Sequence, residues 1–127
     1  MQDQKRSSVQ LAIPAHVRML RFARVSAATM AVDLSFSLEE IDDLRVAVDE
    51  LAAAAIEGLD DSAMLKLRFE IVGRDLVVEG QVEGAGSPPA LHPVAQELMD
   101  MLADGYELTE RDGHRVFRLL KRSTIPA

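Results

Sequence analysis

The chain has 127 residues, of which 48% are hydrophobic and 28% charged, with a formal net charge of −7 and no cysteine. That length and balance suit one folded domain with a real core and exclude a disordered chain. The missing thiol excludes disulfides, thiolate metal sites and a cysteine nucleophile, and the negative charge argues against nucleic acid, whose phosphates need a basic surface.

The charge is uneven. Residues 1–24 carry five Lys/Arg against one Asp, whereas Ser37 to Asp61 carries nine Asp/Glu against one Arg. Two solvated faces of opposite sign, or a surface for a protein partner, both account for this. No apolar run approaches the roughly 20 residues of a membrane span, and the N-terminus lacks a signal-peptide core. The expectation is a cytoplasmic protein that engages no membrane. His16, His92 and His114 are scattered without ligand-like spacing, so no metal site is expected.

In chain order, residues 1–7 read as a disordered polar tail, 8–122 as a single domain and 123–127 as a C-terminal tail. Val9, Leu11 and Ile13 alternate with polar or small neighbours, predicting a strand over 8–13 with one buried face. Pro14 ends it, and a helix is predicted from Ala15 to about Val32. On that helix Arg18, Arg21 and Arg24 recur at i, i+3 and i+6 and would lie near one another.

The next helix has an explicit start. Ser37 followed by Glu40 is a capping box, with acidic residues in the first turns to suit the helix dipole. Ile41, Leu44, Val48, Leu51, Ala55 and Leu59 then follow one face at 3.6-residue spacing, and Gly58 is the candidate stop. Met64–Val72 and Leu76–Val82 read as a hairpin turning at Gly73-Arg74-Asp75. Glu83–Pro89 is a loop by composition. Val94, Leu98, Met101 and Leu102 mark a third helix, and 106–109 with 114–121 form a last hairpin around Arg111-Asp112-Gly113. The order β-α-α-β-β-α-β-β predicts an α+β two-layer sandwich, with a mixed or antiparallel sheet carrying its helices on one face.

Three segments stand out in that frame: Phe22-Ala23-Arg24-Val25, Leu44-Arg45-Val46-Ala47-Val48-Asp49-Glu50, and Val82-Glu83-Gly84-Ala85-Gly86. With the element order, they resemble the GHKL (Bergerat-fold) ATPase superfamily. The nearest likeness is to its small bacterial branch, the anti-sigma factors that are also serine-protein kinases. The resemblance spans Ser8 to Arg122 and implies a GHKL ATPase-like fold.

It also implies roles for particular residues. In the first segment the arginine of that branch contacts both the sigma factor and the anti-anti-sigma partner, which makes Arg24 the expected partner contact, with Arg21 and Arg18 beside it. In the second, Glu50 stands where active members carry a general base. Four residues on, where they hold Mg²⁺ with an asparagine, this chain has Ala54. A methyl group cannot replace an oxygen ligand, so Glu50 reads as a relic of catalysis or a plain surface carboxylate.

In the third segment, Gly84 and Gly86 survive, but the aspartate that reads adenine is replaced by Val82. Glu83 is one residue away and so faces the other side of a strand. The glycines also suit an ordinary loop needing positive φ. The segment that forms an ATP lid is reduced to residues 87–93, and Pro93 and Ala95 stand where glycine N–H groups would cradle phosphate.

The expectation is a transcription regulator, an anti-sigma factor acting by protein–protein binding without ATP, Mg²⁺ or another cofactor. Its partners would be a sigma factor, an anti-anti-sigma protein, or a second copy in a homodimer. The alternatives are an ATP-dependent serine kinase of an anti-anti-sigma factor, with Glu50 as base, and a pseudo-kinase adaptor paired with an active relative.

Overall fold

The computed structural model describes residues 8–124. Five strands and three α-helices follow the predicted order: β1 (Ser8–Pro14), α1 (Leu20–Asp33), α2 (Leu38–Ile56), β2 (Met64–Val72), β3 (Asp75–Val82), α3 (Pro93–Leu102), β4 (Gly105–Arg111) and β5 (His114–Arg122). The strands form one sheet in the order β1-β2-β3-β5-β4, and every neighbouring pair is antiparallel. The sheet is therefore antiparallel throughout rather than mixed.

The two hairpin turns show why the register holds. Val72 pairs with Asp75 across Gly73-Arg74, and Arg111 pairs with His114 across Asp112-Gly113. In the second turn both central residues have positive φ, 55° and 82°, the requirement of the tight turn that matches strand twist. Asp-Gly is among the few pairs that adopt it cheaply.

Alternate residues of the sheet face inward. Leu65, Leu67 and Phe69 of β2, Leu76, Val78 and Val82 of β3, and Phe117 and Leu119 of β5 are all buried. Against them α2 lays Leu44, Val48, Leu51, Ala52 and Ala55, with Ala23, Ala27 and Ala31 of α1 alongside. Each large side chain taken from water in this layer stabilises the domain by about 1.5–3 kcal/mol. The capping box forms as predicted, with Ser37 Oγ accepting from Glu40 N and Glu40 Oε1 accepting from Ser37 N. Glu57 then caps the far end of α2, and Gly58 leaves the helix at a φ of 80°.

Three expectations change. The helix predicted from Ala15 begins instead as a 3-10 turn over Val17–Met19, and α1 starts at Leu20. His16 causes the delay: it is extended, and its Nδ1 accepts from Arg18 N, closing a tight turn before helical spacing begins. Arg18 thus lies on that turn and not on one helical row with Arg21 and Arg24. Val9 is 43% exposed, so the inward face of β1 is carried by Ile13 with Leu11 half-buried.

At the other end, Thr124 is held in place. Its N–H and Oγ1 both donate to Glu40 Oε2, at 2.9 and 2.7 Å. Within 123–127, expected to be a tail, the contacts of the domain therefore reach at least Thr124; residues 125–127 and 1–7 lie outside the described residues. No helix among the described residues is long and apolar enough to cross a membrane.

Candidate functional site

The chemistry-bearing positions fall in two regions, the start of α1, and α2 with the end of β3 and the loop that follows it. At the first, Arg24 does not stand free. Its Nη1 pairs with Asp49 Oδ1 of α2 at 2.5 Å, both side chains about half-buried, so it ties the two helices together. Arg18 and Arg21 are exposed and have no ion-pair partner among the described residues. They line a shallow cleft with Pro14, His16, Met19 and Asp61. The Arg21 guanidinium carbon sits 5.2 Å from the centre of the Phe22 ring, a cation–π contact. Val17, Phe22 and Val25 are exposed around them, and Val32 continues the apolar surface toward the end of α1. Basic groups interleaved with exposed apolar ones make a surface suited to a protein carrying carboxylates beside apolar side chains.

The vestigial nucleotide positions lie on α2, at the end of β3 and in the β3–α3 loop, and the N–H groups of the loop glycines are used by the chain itself. Glu50 lies half-buried on α2, one residue from the Arg24–Asp49 pair, with no partner among the described residues. Ala54, one turn further on, is half-buried, and its carbonyl accepts from Glu57 N. Val82 is buried in the core.

The two glycines have φ of 69° and 72°, the conformation expected of loop glycines. Their N–H groups are both taken. Gly84 N donates to His114 Nδ1 at 2.9 Å, and Gly86 N donates to Gly113 O at 3.0 Å. Ser87 Oγ donates to Glu110 Oε1 at 2.6 Å, closing the loop onto the β4–β5 hairpin. The start of α3 is likewise self-capped: Pro93 has no N–H, and Val94 N donates to His92 Nδ1. All three histidines thus accept a backbone N–H through Nδ1.

Arg115 escaped the sequence reading. It is 8% exposed, sits across the β3–β5 ladder from Val82, and donates through Nη1 to Ala55 O at 3.0 Å and Glu57 O at 2.9 Å. The signal was available: Arg115 shares strand parity with Phe117 and Leu119, so a period-2 reading points it into the core. Asp49 as the mate of Arg24 had no comparable local signal, being 25 residues away on another helix.

The antiparallel five-stranded sheet, backed on one face by this helical layer, is the two-layer α+β arrangement predicted from the sequence. A search of family models matches none to the chain. Over 93 residues the chain is 33% identical to the anti-sigma F factor of Clostridium acetobutylicum, covering 69% of this chain and 65% of that protein. It thus spans just under two thirds of the length of the curated relative. The crystal structure of the RsbU and RsbW domains of Rv1364c from Mycobacterium tuberculosis matches with a TM-score of 0.70 at 14% identity, covering 95% of this chain and 34% of that chain. The second likeness speaks for the fold. The two together support the resemblance, drawn from the sequence, to the anti-sigma branch of the GHKL superfamily.

Proposed function

We propose that the protein works as an anti-sigma type regulator that binds a protein partner through the start of α1 and does so without nucleotide. The partner class is a sigma factor or an anti-anti-sigma protein, and the effect on a sigma factor would be occlusion of surfaces it needs for RNA polymerase. The observation that carries the reading is the two exposed arginines, Arg18 and Arg21, without ion-pair partners among the described residues and set among exposed Val17, Phe22 and Val25. Arg24 contributes from behind, holding α1 to α2 through Asp49.

Independence from nucleotide is supported by the destinations of the loop donors. A phosphate cradle needs free backbone N–H groups, and those of Gly84 and Gly86 end on His114 and Gly113. Mg²⁺ needs oxygen ligands, which the Ala54 side chain cannot offer, and the buried Val82 side chain cannot accept a hydrogen bond from adenine. The donor set does not suit a magnesium nucleotide, and no catalytic step is assigned to Glu50.

The test is binding of purified candidate sigma factors and anti-anti-sigma proteins, measured by calorimetry with and without MgATP. Saturable binding in the absence of nucleotide, weakened at least tenfold by Arg21→Glu, is the expected outcome. Binding that requires MgATP would sink the nucleotide-independent reading. A homodimer is a further expectation of the same proposal, supported by the exposed Val9 of the edge strand β1 and by Val25 and Val32 of α1. A sedimentation mass equal to one chain at high micromolar concentration would remove it.

A further inference from the structure

Among the described residues, Arg115 is the one buried cation. Bringing a guanidinium into a protein interior is costly unless its charge and donors are met. Here the Nη1 donors are met by carbonyls. The last turn of α2 holds no basic residue of its own, and the carbonyls at a helix C-terminus lack intrahelical donors and form the negative end of the dipole. Arg115 reaches over from β5 to supply the missing donors, bonding the carbonyls of Ala55 and Glu57. Its Nε remains buried without an acceptor, so the fit is built around the Nη1 end of the group.

The surroundings of this guanidinium are the vestigial positions. Val82 faces it across the ladder, and Ala54 precedes its first carbonyl acceptor on α2. The residues that take the N–H groups of Gly86 and Gly84 are Gly113 and His114, immediately before it in the chain. Glu110, opposite it on β4, accepts from Ser87 of the same loop. Loop, helix end and hairpin are thus drawn together around one side chain.

We propose that Arg115 is a resident occupant of the space that the resemblance reserves for a nucleotide. In that role it closes the space from within and fastens the end of α2 to the sheet. The site it fills is a receptor for a guanidinium-type cation, lined by carbonyls and not by anion donors. The inference rests on the nucleotide-independent reading above, and its test involves no partner protein.

Thermal melts of the wild type, Arg115→Ala, Arg115→Met and Arg115→Lys, with guanidinium chloride at about 5–20 mM as the added probe, provide the test. Matched sodium chloride and urea serve as controls. Arg115→Ala is expected to lower Tm by about 8 °C or more, and guanidinium is expected to return at least a third of that loss while leaving the wild type unchanged. Arg115→Met, whose longer chain fills the site, should gain less from the additive, and Arg115→Lys should retain part of the stability unaided. MgATP should shift the wild-type Tm by less than about 1 °C.

The inference is overturned if Arg115→Ala is as stable as the wild type. It is equally overturned if guanidinium acts alike on both proteins, or if MgATP stabilises the wild type. Should the alanine variant fail to fold, NMR of the wild-type guanidinium decides: slowly exchanging Nη protons and hindered rotation support the buried site, and a freely averaged signal overturns it. Failure to find a protein partner would leave these melts unchanged, and an Arg115→Ala variant as stable as the wild type would leave partner binding untouched, so the partner reading and this inference fail separately.

Discussion

The contact between Arg24 and Asp49 separates two roles for the arginine that the resemblance singles out. The pair is short, 2.5 Å, but its side chains are 36% and 38% exposed, so solvent screens much of the attraction. A pair of that exposure contributes about 0.5–1 kcal/mol, equivalent to about 2–4 °C in Tm for a domain of this size. A double-mutant cycle with Arg24→Gln and Asp49→Asn, followed by urea denaturation, should return that coupling energy, reduced in 1 M salt. In the binding assay, both single variants should change partner affinity less than about twofold, because 0.4 kcal/mol is the corresponding free energy. Arg21→Glu, by contrast, should weaken binding at least tenfold with Tm unchanged within about 1 °C. The reasoning is refuted if the coupling is below about 0.2 kcal/mol. It is refuted as well if Arg24→Gln weakens partner binding as much as Arg21→Glu does.

Three other perturbations probe the scaffold. Burial alone would raise the Glu40 carboxyl pKa, but donors from Ser37 and Thr124 outweigh it and hold the group below its ordinary value. The folded state therefore binds this proton less tightly than the unfolded chain, so the contribution is complete above the ordinary glutamate range and is lost as pH falls through the folded value. Glu40→Gln should cost about 1–1.5 kcal/mol at neutral pH and flatten the fall in stability between about pH 5 and pH 3; an unaltered acid limb in urea titrations would count against it. At Gly80 an added Cβ would lie 2.2 Å from Cε2 of the buried Phe117 ring. Gly80→Ala should destabilise by about 1–3 kcal/mol, and Gly80→Ala with Phe117→Leu should be less than additive in calorimetric melts. Leu51→Ala, in the fully buried centre of α2, should cost about 2–5 kcal/mol by denaturant titration; a loss below 1 kcal/mol would contradict the packing described.

The order of elements was legible because its signals are local. Alternation marks Met64–Val72, the Asp112-Gly113 pair marks the last turn, and Ser37 with Glu40 marks the start of α2 within four residues. The delayed start of α1 was less legible, since it depends on the His16 ring closing a 3-10 turn that competes with helix. At the candidate site, the absent groups could be read directly from Ala54, Val82 and Pro93. What replaces them could not. The N–H of Gly86 finds its acceptor at Gly113, and the end of α2 finds its donor at Arg115, both across tertiary distances no window covers. Arg24 shows the same limit. A motif can name an arginine, but its partner Asp49 emerges only when the two helices are packed. The anchoring of Thr124 to Glu40 joins residues 84 positions apart and is likewise a product of the fold.

Direct binding of the protein to a purified sigma factor or anti-anti-sigma protein, measured by calorimetry in nucleotide-free buffer and again with MgATP, tests the central claim. The account predicts the same saturable isotherm in both buffers and its loss in Arg21→Glu. Heat that develops only with MgATP, or an Arg21→Glu isotherm indistinguishable from the wild type, would contradict it.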